Sequence, residues 1–401
     1  MIAPGAVNYA GQADPPPADE WEAVVIGAGP AGAVAARQLA LAGRRTLLVE
    51  AKSFPRHKAC GGCLSAAAVA ALRSIGLGDA LAECPSRETR AMEIWRRGEC
   101  LRVPLPTGLA VERATLDERL AAAARRSGAV TCFGTSATVA ADLGGQRRIV
   151  RLNDRHGNTT HVAARMVLAA DGLGHPSLGE FDDFACRVAH HARVGVAATV
   201  DDPRLAESLT PATIRMVVGS AGYVGMVACA ATRVNVAAAL DAALLKRCGT
   251  PVAAVNHTLA QACRPLTIAD GPAHWVGTRP LTQHSSQVAG ERIFLLGDAA
   301  GYVEPFTGEG MTSAIQSGVV AAELAERGIT HWSAELANAW QARYDRHVRP
   351  SQRVCSLLAW LSRHALAADV GFRLATCFPT IGALAARHVN FGHQRLGEKL
   401  P

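Results

Sequence analysis

The run Gly27-Ala28-Gly29-Pro30-Ala31-Gly32 constrains this chain more than any other feature. It follows the apolar stretch Ala23-Val24-Val25-Ile26 directly and opens an alanine-rich segment from Ala31 to Ala42, so the spacing predicts strand, tight turn and helix. Gly43 suits the helix end, and Thr46 to Val49 reads as a second strand closing a βαβ unit. Gly-x-Gly-x-x-Gly in that context brings backbone N–H groups and a helix N-terminus up to a pyrophosphate. Glu50 follows Gly32 by eighteen residues, near where a carboxylate bonds a ribose hydroxyl, with Ala51 beside it. A carboxylate there repels a 2′-phosphate, so the nucleotide expected is FAD or NAD rather than NADP.

A chain of 401 residues exceeds what one core normally fills, and 49% hydrophobic against 19% charged residues indicates a globular protein of two lobes. The net charge of +7 comes from scattered pairs such as Arg44/Arg45, Arg125/Arg126 and Arg147/Arg148, with no basic stripe interleaved with aromatics, so nucleic acid is not an expected partner. Eleven cysteines without regular spacing, and no secretory leader pattern before them, point to a reducing cytoplasmic setting without disulfides. The apolar segment from Val354 to Leu374 is broken by Arg363, Asp369 and Arg373, so no membrane span is expected. C-terminal helices are expected at roughly Ser333 to His347 and Val354 to Ala386; their basic, amphipathic character leaves peripheral membrane contact open beside packing across the back of the sheet, and the oligomeric state stays undetermined.

Three later motifs bear on the choice between FAD and NAD. Met166 to Ala170 is an apolar strand ending in Asp171-Gly172, and Arg292 to Leu296 is another ending in Gly297-Asp298. Pro305-Phe306-Thr307-Gly308-Glu309-Gly310-Met311 then leads into a helix with Met311, Ile315, Gly318 and Ala322 on one face. In this order the motifs resemble the para-hydroxybenzoate hydroxylase-like flavoprotein superfamily over roughly residues 21–330. That superfamily includes aromatic monooxygenases, halogenases and geranylgeranyl reductases.

The resemblance implies an α/β fold: a Rossmann-like FAD-binding domain with an inserted β-sheet substrate domain and C-terminal helices. The expected boundaries are a flexible tail at 1–19, a discontinuous FAD domain at 20–184 and 286–330, a covering sheet at 185–285 with a contribution from about 85–110, and helices at 331–401. It also implies tight, non-covalent FAD. Gly27, Gly29, Pro30, Ala31 and Gly32 would cradle its pyrophosphate and Glu50 and Ala51 its adenosine ribose. Arg113 would lie near the FAD, Asp171 and Gly172 behind it, and Gly297 and Asp298 at its ribityl chain. Pro305, Gly308, Glu309, Gly310 and Met311 would meet the pyrimidine ring.

The segment from Phe54 to Gly62 looks like the Cys-Gly-Gly loop of geranylgeranyl reductases: Arg56 and Lys58 supply positive charge, and Gly61 and Gly62 let the backbone pass a flat ring. Cys60 is therefore one candidate catalytic residue. Tyr223 is the other, in Gly222-Tyr223-Val224-Gly225-Met226-Val227, the nearest equivalent of a Tyr-x-Trp-x-Phe-Pro strand of those reductases, from which the Trp, Phe and Pro are missing. The Cys60/Cys63 pair lacks a second pair at zinc-ribbon spacing, and His190-His191, read as strand neighbours, would face opposite ways, so no metal is expected.

With one Gly-x-Gly-x-x-Gly, NAD(P)H is expected only as a transient hydride donor at the flavin face. The departures in the Tyr223 strand favour an NAD(P)H-using monooxygenase acting on an apolar, phenolic or polyketide-like molecule of secondary metabolism. Alkene reduction of the geranylgeranyl reductase kind stands second, and halogenation and a non-catalytic flavoprotein stand further behind.

Overall fold

The computed structural model describes residues 20–143, 146–261, 266–269, 271, 273–304, 310–364, 368–369 and 371–373. Five parallel strands form its centre, in the order Ile293–Leu295, Thr159–Ala169, Glu20–Ile26, Thr46–Glu50 and Val130–Phe133. Ala23 to Ile26, Leu47 to Val49 and Met166 to Ala169 are buried almost completely, as strands covered on both faces must be. Helices Pro30–Leu41, Arg113–Arg126 and Gly310–Thr330 pack together beside the sheet. Across from them, helix Ala334–His347 fixes Trp340, whose Nε1 donates to Leu295 O at 3.2 Å. Strands Thr135–Leu143 and Arg148–Asp154 extend the sheet as an antiparallel meander on the first half of Thr159–Ala169.

A second sheet of eight strands lies over the C-terminal ends of the first. Its order is Val276–Pro280, Val194–Asp201, Arg233–Leu240, Gly222–Ala228, Thr213–Gly219, Ser86–Arg96, Glu99–Val111 and Cys63–Leu64. Only the pairing of Thr213–Gly219 with Ser86–Arg96 is parallel. Alternation along the strands sends Val224, Val236 and Leu240 into a core under helices Ala242–Cys248 and Pro251–Leu259. It sends Tyr223, Met216 and Ala239 to the opposite face, with Met92 and Leu281.

Several elements differ in detail from the sequence reading. The helical stretch from Ser65 to Leu81 splits into Ala66–Ser74 and Gly78–Ala82 around Gly76, whose φ is +75°. Strands Cys186–Val188 and Gln283–Ser285 join Gly301–Tyr302 in a small sheet of their own instead of the covering sheet. The last described long helix starts at Arg349 rather than Val354, because Pro350 falls in its first turn, where its missing N–H leaves no bond unmade. His190 and His191 lie in a turn with their rings edge to face, centroids 4.5 Å apart, so the strand alternation assumed for them does not hold. Among the described residues no helix is long and apolar enough to cross a membrane, and the cysteines described are free thiols.

Candidate active site

The glycine turn is dictated by space as much as by flexibility. Gly27 has φ +98°, and a Cβ there would lie 2.4 Å from Ala170 O; one on Gly32 would lie 1.9 Å from Gly27 O. Only glycine lets the first helix sit this tightly on the strand ends. Gly29 has no such conflict; its open side faces Arg56 Nη2, 3.5 Å from an ideal Cβ. Pro30 and Ala31 are buried at the start of the helix.

Glu50 ends the second strand with both carboxylate oxygens in use: Ala28 N–H donates to Oε2 at 2.9 Å and Lys52 N–H to Oε1 at 3.1 Å. The carboxylate thus holds the glycine turn in place. Ala51, next to it, is exposed. Arg56 comes back from the following loop, buried, with Nη2 3.1 Å from Asp117 Oδ2 and Nε 3.5 Å from Glu50 Oε2. That Nε donates no hydrogen bond among the described residues, so the guanidinium keeps a donor for a ligand.

Asp117 takes a second cation. Arg113, the first residue of helix Arg113–Arg126, turns inward and donates from Nε and Nη2 to its two oxygens, both at 3.0 Å. Burial works against the charge on Arg113, but the hydrogen-bonded Asp117 and the nearby Cys60 raise its pKa and keep it a cation. Arg113 therefore belongs to the cleft and not to the helix surface.

Cys60, Gly61 and Gly62 line the same cleft as Arg113. Gly62 N–H lies 3.4 Å from Cys60 Sγ. Gly62 has φ +67°, and a Cβ would come within 2.3 Å of Val111 O and 2.4 Å of Asn235 Nδ2. Asn235 donates to Val111 O at 2.8 Å and accepts from Thr199 Oγ1 at 3.0 Å, and Val111 N–H donates to Gly62 O at 2.8 Å, which ties the loop to the covering sheet. At Gly61 a Cβ would make only ordinary contact with Ala237.

On the far wall, Gly297 N–H donates to Ser317 Oγ at 3.1 Å, and Asp298 points to the cleft. Burial raises the pKa of Asp298, against the pull of Lys58 and Arg113. Burial also raises that of Asp171, whose Oδ2 accepts from Ser177 N–H at 2.8 Å while Oδ1 has no partner among the described residues. Gly172 leaves room for the exposed Lys58, whose Nζ would be 2.8 Å from a Cβ there. Gly310 and Met311 open helix Gly310–Thr330 at the cleft, and Gly318 brings that helix against Ala31 O, 2.5 Å from an ideal Cβ. Pro305, Gly308 and Glu309 lie outside the described residues.

Together these groups line a cleft of about 180 Å³ between the two sheets, with Met92, Ile214, Met216 and Leu281 forming much of its apolar roof. Tyr223 lies in the same wall, and burial, with Glu304 nearby, raises its pKa well above the usual phenol range. The sequence reading missed Asp117, Asn235 and Tyr302. Asp117 was signalled by its place four residues after Arg113, and Asn235 by a lone amide between Val234 and Val236. Tyr302, whose ring covers Gly310, carried no local signal.

The sequence profile of the FAD binding domain family matches residues 20–328. The chain belongs to that family. It is an FAD-dependent oxidoreductase, and the turn at Gly27 to Gly32, the spare donor on Arg56 and the spare acceptor on Asp171 fit that cofactor. The oxidoreductase is 31% identical over 363 residues to a menaquinone reductase of Mycobacterium tuberculosis, covering 85% of each chain. It is 25% identical over 336 residues to digeranylgeranylglycerophospholipid reductase 1 of Methanothermobacter thermautotrophicus, covering 78% of each. Among solved structures it shares its fold with a flavin-dependent brominase at a TM-score of 0.75, 15% identity and 95% and 96% coverage.

Proposed function

We propose that this oxidoreductase saturates carbon–carbon double bonds in a polyprenyl-bearing lipid, using FAD reduced by NAD(P)H. The observation that carries this reading is Cys60 in the wall of a largely apolar cleft, with the cationic Arg113 lining the same wall. Hydroxylation has no use for such a pair, whereas alkene reduction needs a proton at the carbon that does not receive hydride. Menaquinone and digeranylgeranylglycerophospholipid, in the names of the two relatives, are both polyprenyl compounds. This reverses the order in which the sequence alone ranks hydroxylation and alkene reduction.

The chain's residues divide the work as follows. The turn at Gly27, Gly29 and Gly32 and the helix start at Pro30 and Ala31 hold the FAD pyrophosphate, with Arg56 adding charge. Glu50 holds the ribose, Asp298 the ribityl chain, and the N–H groups at Gly310 and Met311 the pyrimidine ring. Bound and reduced, FAD supplies the hydride. Met92, Met216 and Leu281 exclude water and align the chain of the substrate. Cys60 Sγ–H donates the proton to the second alkene carbon, and Arg113 stabilises the thiolate that remains. Tyr223 shapes the wall behind the substrate.

Anaerobic mixing of the NAD(P)H-reduced enzyme with a menaquinone or a geranylgeranyl lipid tests the reading. Product gaining two hydrogens per turnover, with deuterium from heavy water at the carbon that receives the proton, is expected. A product formed only with O₂ and carrying one added oxygen atom would restore the hydroxylase reading.

A further inference from the structure

Helix Arg349–Arg363 is amphipathic in an unusual sense: its apolar residues lie on both faces. Cys355 and Ala359 are buried, whereas Leu357 and Trp360 are 56% and 51% exposed. Spaced alternately four and three residues apart, the exposed Arg346, Pro350, Arg353, Leu357 and Trp360 follow one stripe from the end of the preceding helix, with the exposed His364 one turn further on. From Arg343 to His364 the chain has five arginines and one acid, Asp345, which pairs with Arg349 at 2.9 Å. Two large apolar side chains facing water in a basic frame are poorly suited to bulk solvent and well suited to the headgroup layer of an anionic membrane.

The inner face of this helix has a second relation to the site. Gln352 and Cys355, with Val348 before them, wall a small cavity of about 50 Å³ that shares Gly297, Asp298, Tyr302 and Gly310 with the main cleft. The helix end is tied down as well: Arg363 Nη2 lies 3.2 Å from Glu304 Oε1, and Ser362 Oγ accepts from Arg193 at 3.0 Å. Arg193 in turn lies 5.8 Å from the Tyr223 ring centre. One rigid helix thus presents an outer basic and apolar stripe while its inner side adjoins the space next to the flavin-side wall.

We propose that Leu357, Trp360, Arg346 and Arg353 dock this enzyme onto an anionic phospholipid bilayer, with helix Arg349–Arg363 lying in the interface plane. Charge complementarity selects an anionic lipid surface over a second copy of this chain, which would set the same arginines against one another. The docking goes beyond the proposed reaction and does not depend on it.

The test uses the full-length, FAD-loaded protein in co-sedimentation with vesicles of phosphatidylcholine alone or mixed with phosphatidylglycerol, without substrate. Wild type should bind the mixed vesicles and release them at high salt. Replacing both apolar anchors (Leu357→Glu with Trp360→Glu) should weaken binding about tenfold or more. Arg346→Glu with Arg353→Glu should remove the preference for phosphatidylglycerol. Flavin content and melting temperature should stay as in wild type. If the glutamate pair loses flavin, Leu357→Ser with Trp360→Ser replaces it. Wild type that ignores both vesicles, or anchor variants that bind as well as wild type, overturn the proposal. So does a wild-type dimer that the anchor variants turn into a monomer without any change in vesicle binding.

Discussion

Arg113 and Asp117 are joined by two parallel hydrogen bonds of 3.0 Å inside the first turn of their helix, and the carboxylate is completely buried. The same Oδ2 lies 3.1 Å from Arg56 Nη2, so one carboxylate balances two guanidinium groups at the wall of the cleft. Asp117→Asn keeps the shape and removes the charge. Breaking a buried ion pair in this way costs about 3–5 kcal/mol, so the unfolding midpoint in urea should drop steeply. A loss below about 1 kcal/mol, the range of exposed pairs, would show that water or FAD already balances the two cations.

Glu50 offers a separable test of cofactor binding, because it braces the glycine turn through Ala28 N–H as well as taking the proposed place at the ribose. Loss of a charge-assisted hydrogen bond is worth about 1.5–3 kcal/mol, so Glu50→Ala should raise the dissociation constant for FAD about tenfold or more. Turnover at saturating FAD should change little, since the reacting ring is remote. Fluorescence titration of the apoprotein with FAD measures the first quantity, and an unchanged constant would exclude the assignment.

Cys60→Ser addresses the chemistry itself. A positioned general acid contributes about 10²–10⁴-fold, and a serine hydroxyl is a far weaker acid than a thiol. Alkene reduction should fall by at least about a hundredfold, while the rate of FAD reduction by NAD(P)H stays within a factor of about two. Equal loss in both half-reactions, followed by stopped-flow absorbance, would mean that the thiol serves the cofactor and not the substrate.

Burial, with the Cys60 and Cys229 thiols beside it, pushes Cys63 from 9.0 up to about 12. A thiol whose pKa is raised by folding adds stability below its unfolded pKa and loses it as pH rises through the folded value. The window therefore opens near 9.0 and closes near 12. Cys63→Ser should lack this part of the alkaline destabilisation. Iodoacetamide should spare Cys63 in the folded protein at about pH 8, where almost no thiolate exists; rapid labelling seen by mass spectrometry would contradict the raised pKa.

Gly318 reverses the usual rule for helices. Alanine is preferred to glycine in a helix by about 1 kcal/mol, but a Cβ at Gly318 would stand 2.5 Å from Ala31 O. Gly318→Ala must push helix Gly310–Thr330 away from the glycine turn, so a loss of about 1–3 kcal/mol is expected, together with weaker FAD retention. Gly43→Ala is the control: its φ is +75° but nothing lies within 4 Å, so only backbone strain is added. A stabilised Gly318→Ala protein would refute the close packing.

The sequence by itself determined the nucleotide-binding half. Apolar runs at Val24, Leu47, Leu168 and Phe294 each end at a glycine or carboxylate, and these are local patterns because a buried parallel strand and its tight turn impose their demands on adjacent residues. Arg113, Cys60 and Asp298 were legible for the same reason, each standing beside a turn or helix start. Tertiary structure alone decided what those residues touch. Asn235 locks Gly62 from a distant strand, Asp117 joins Arg113 to Arg56, and Tyr302 covers Gly310, through pairings of segments far apart in the chain that no local period records. The same holds for Leu357 and Trp360. The sequence marked their helix as basic and amphipathic, but only the burial of Cys355 and Ala359 settled which apolar residues were left to water.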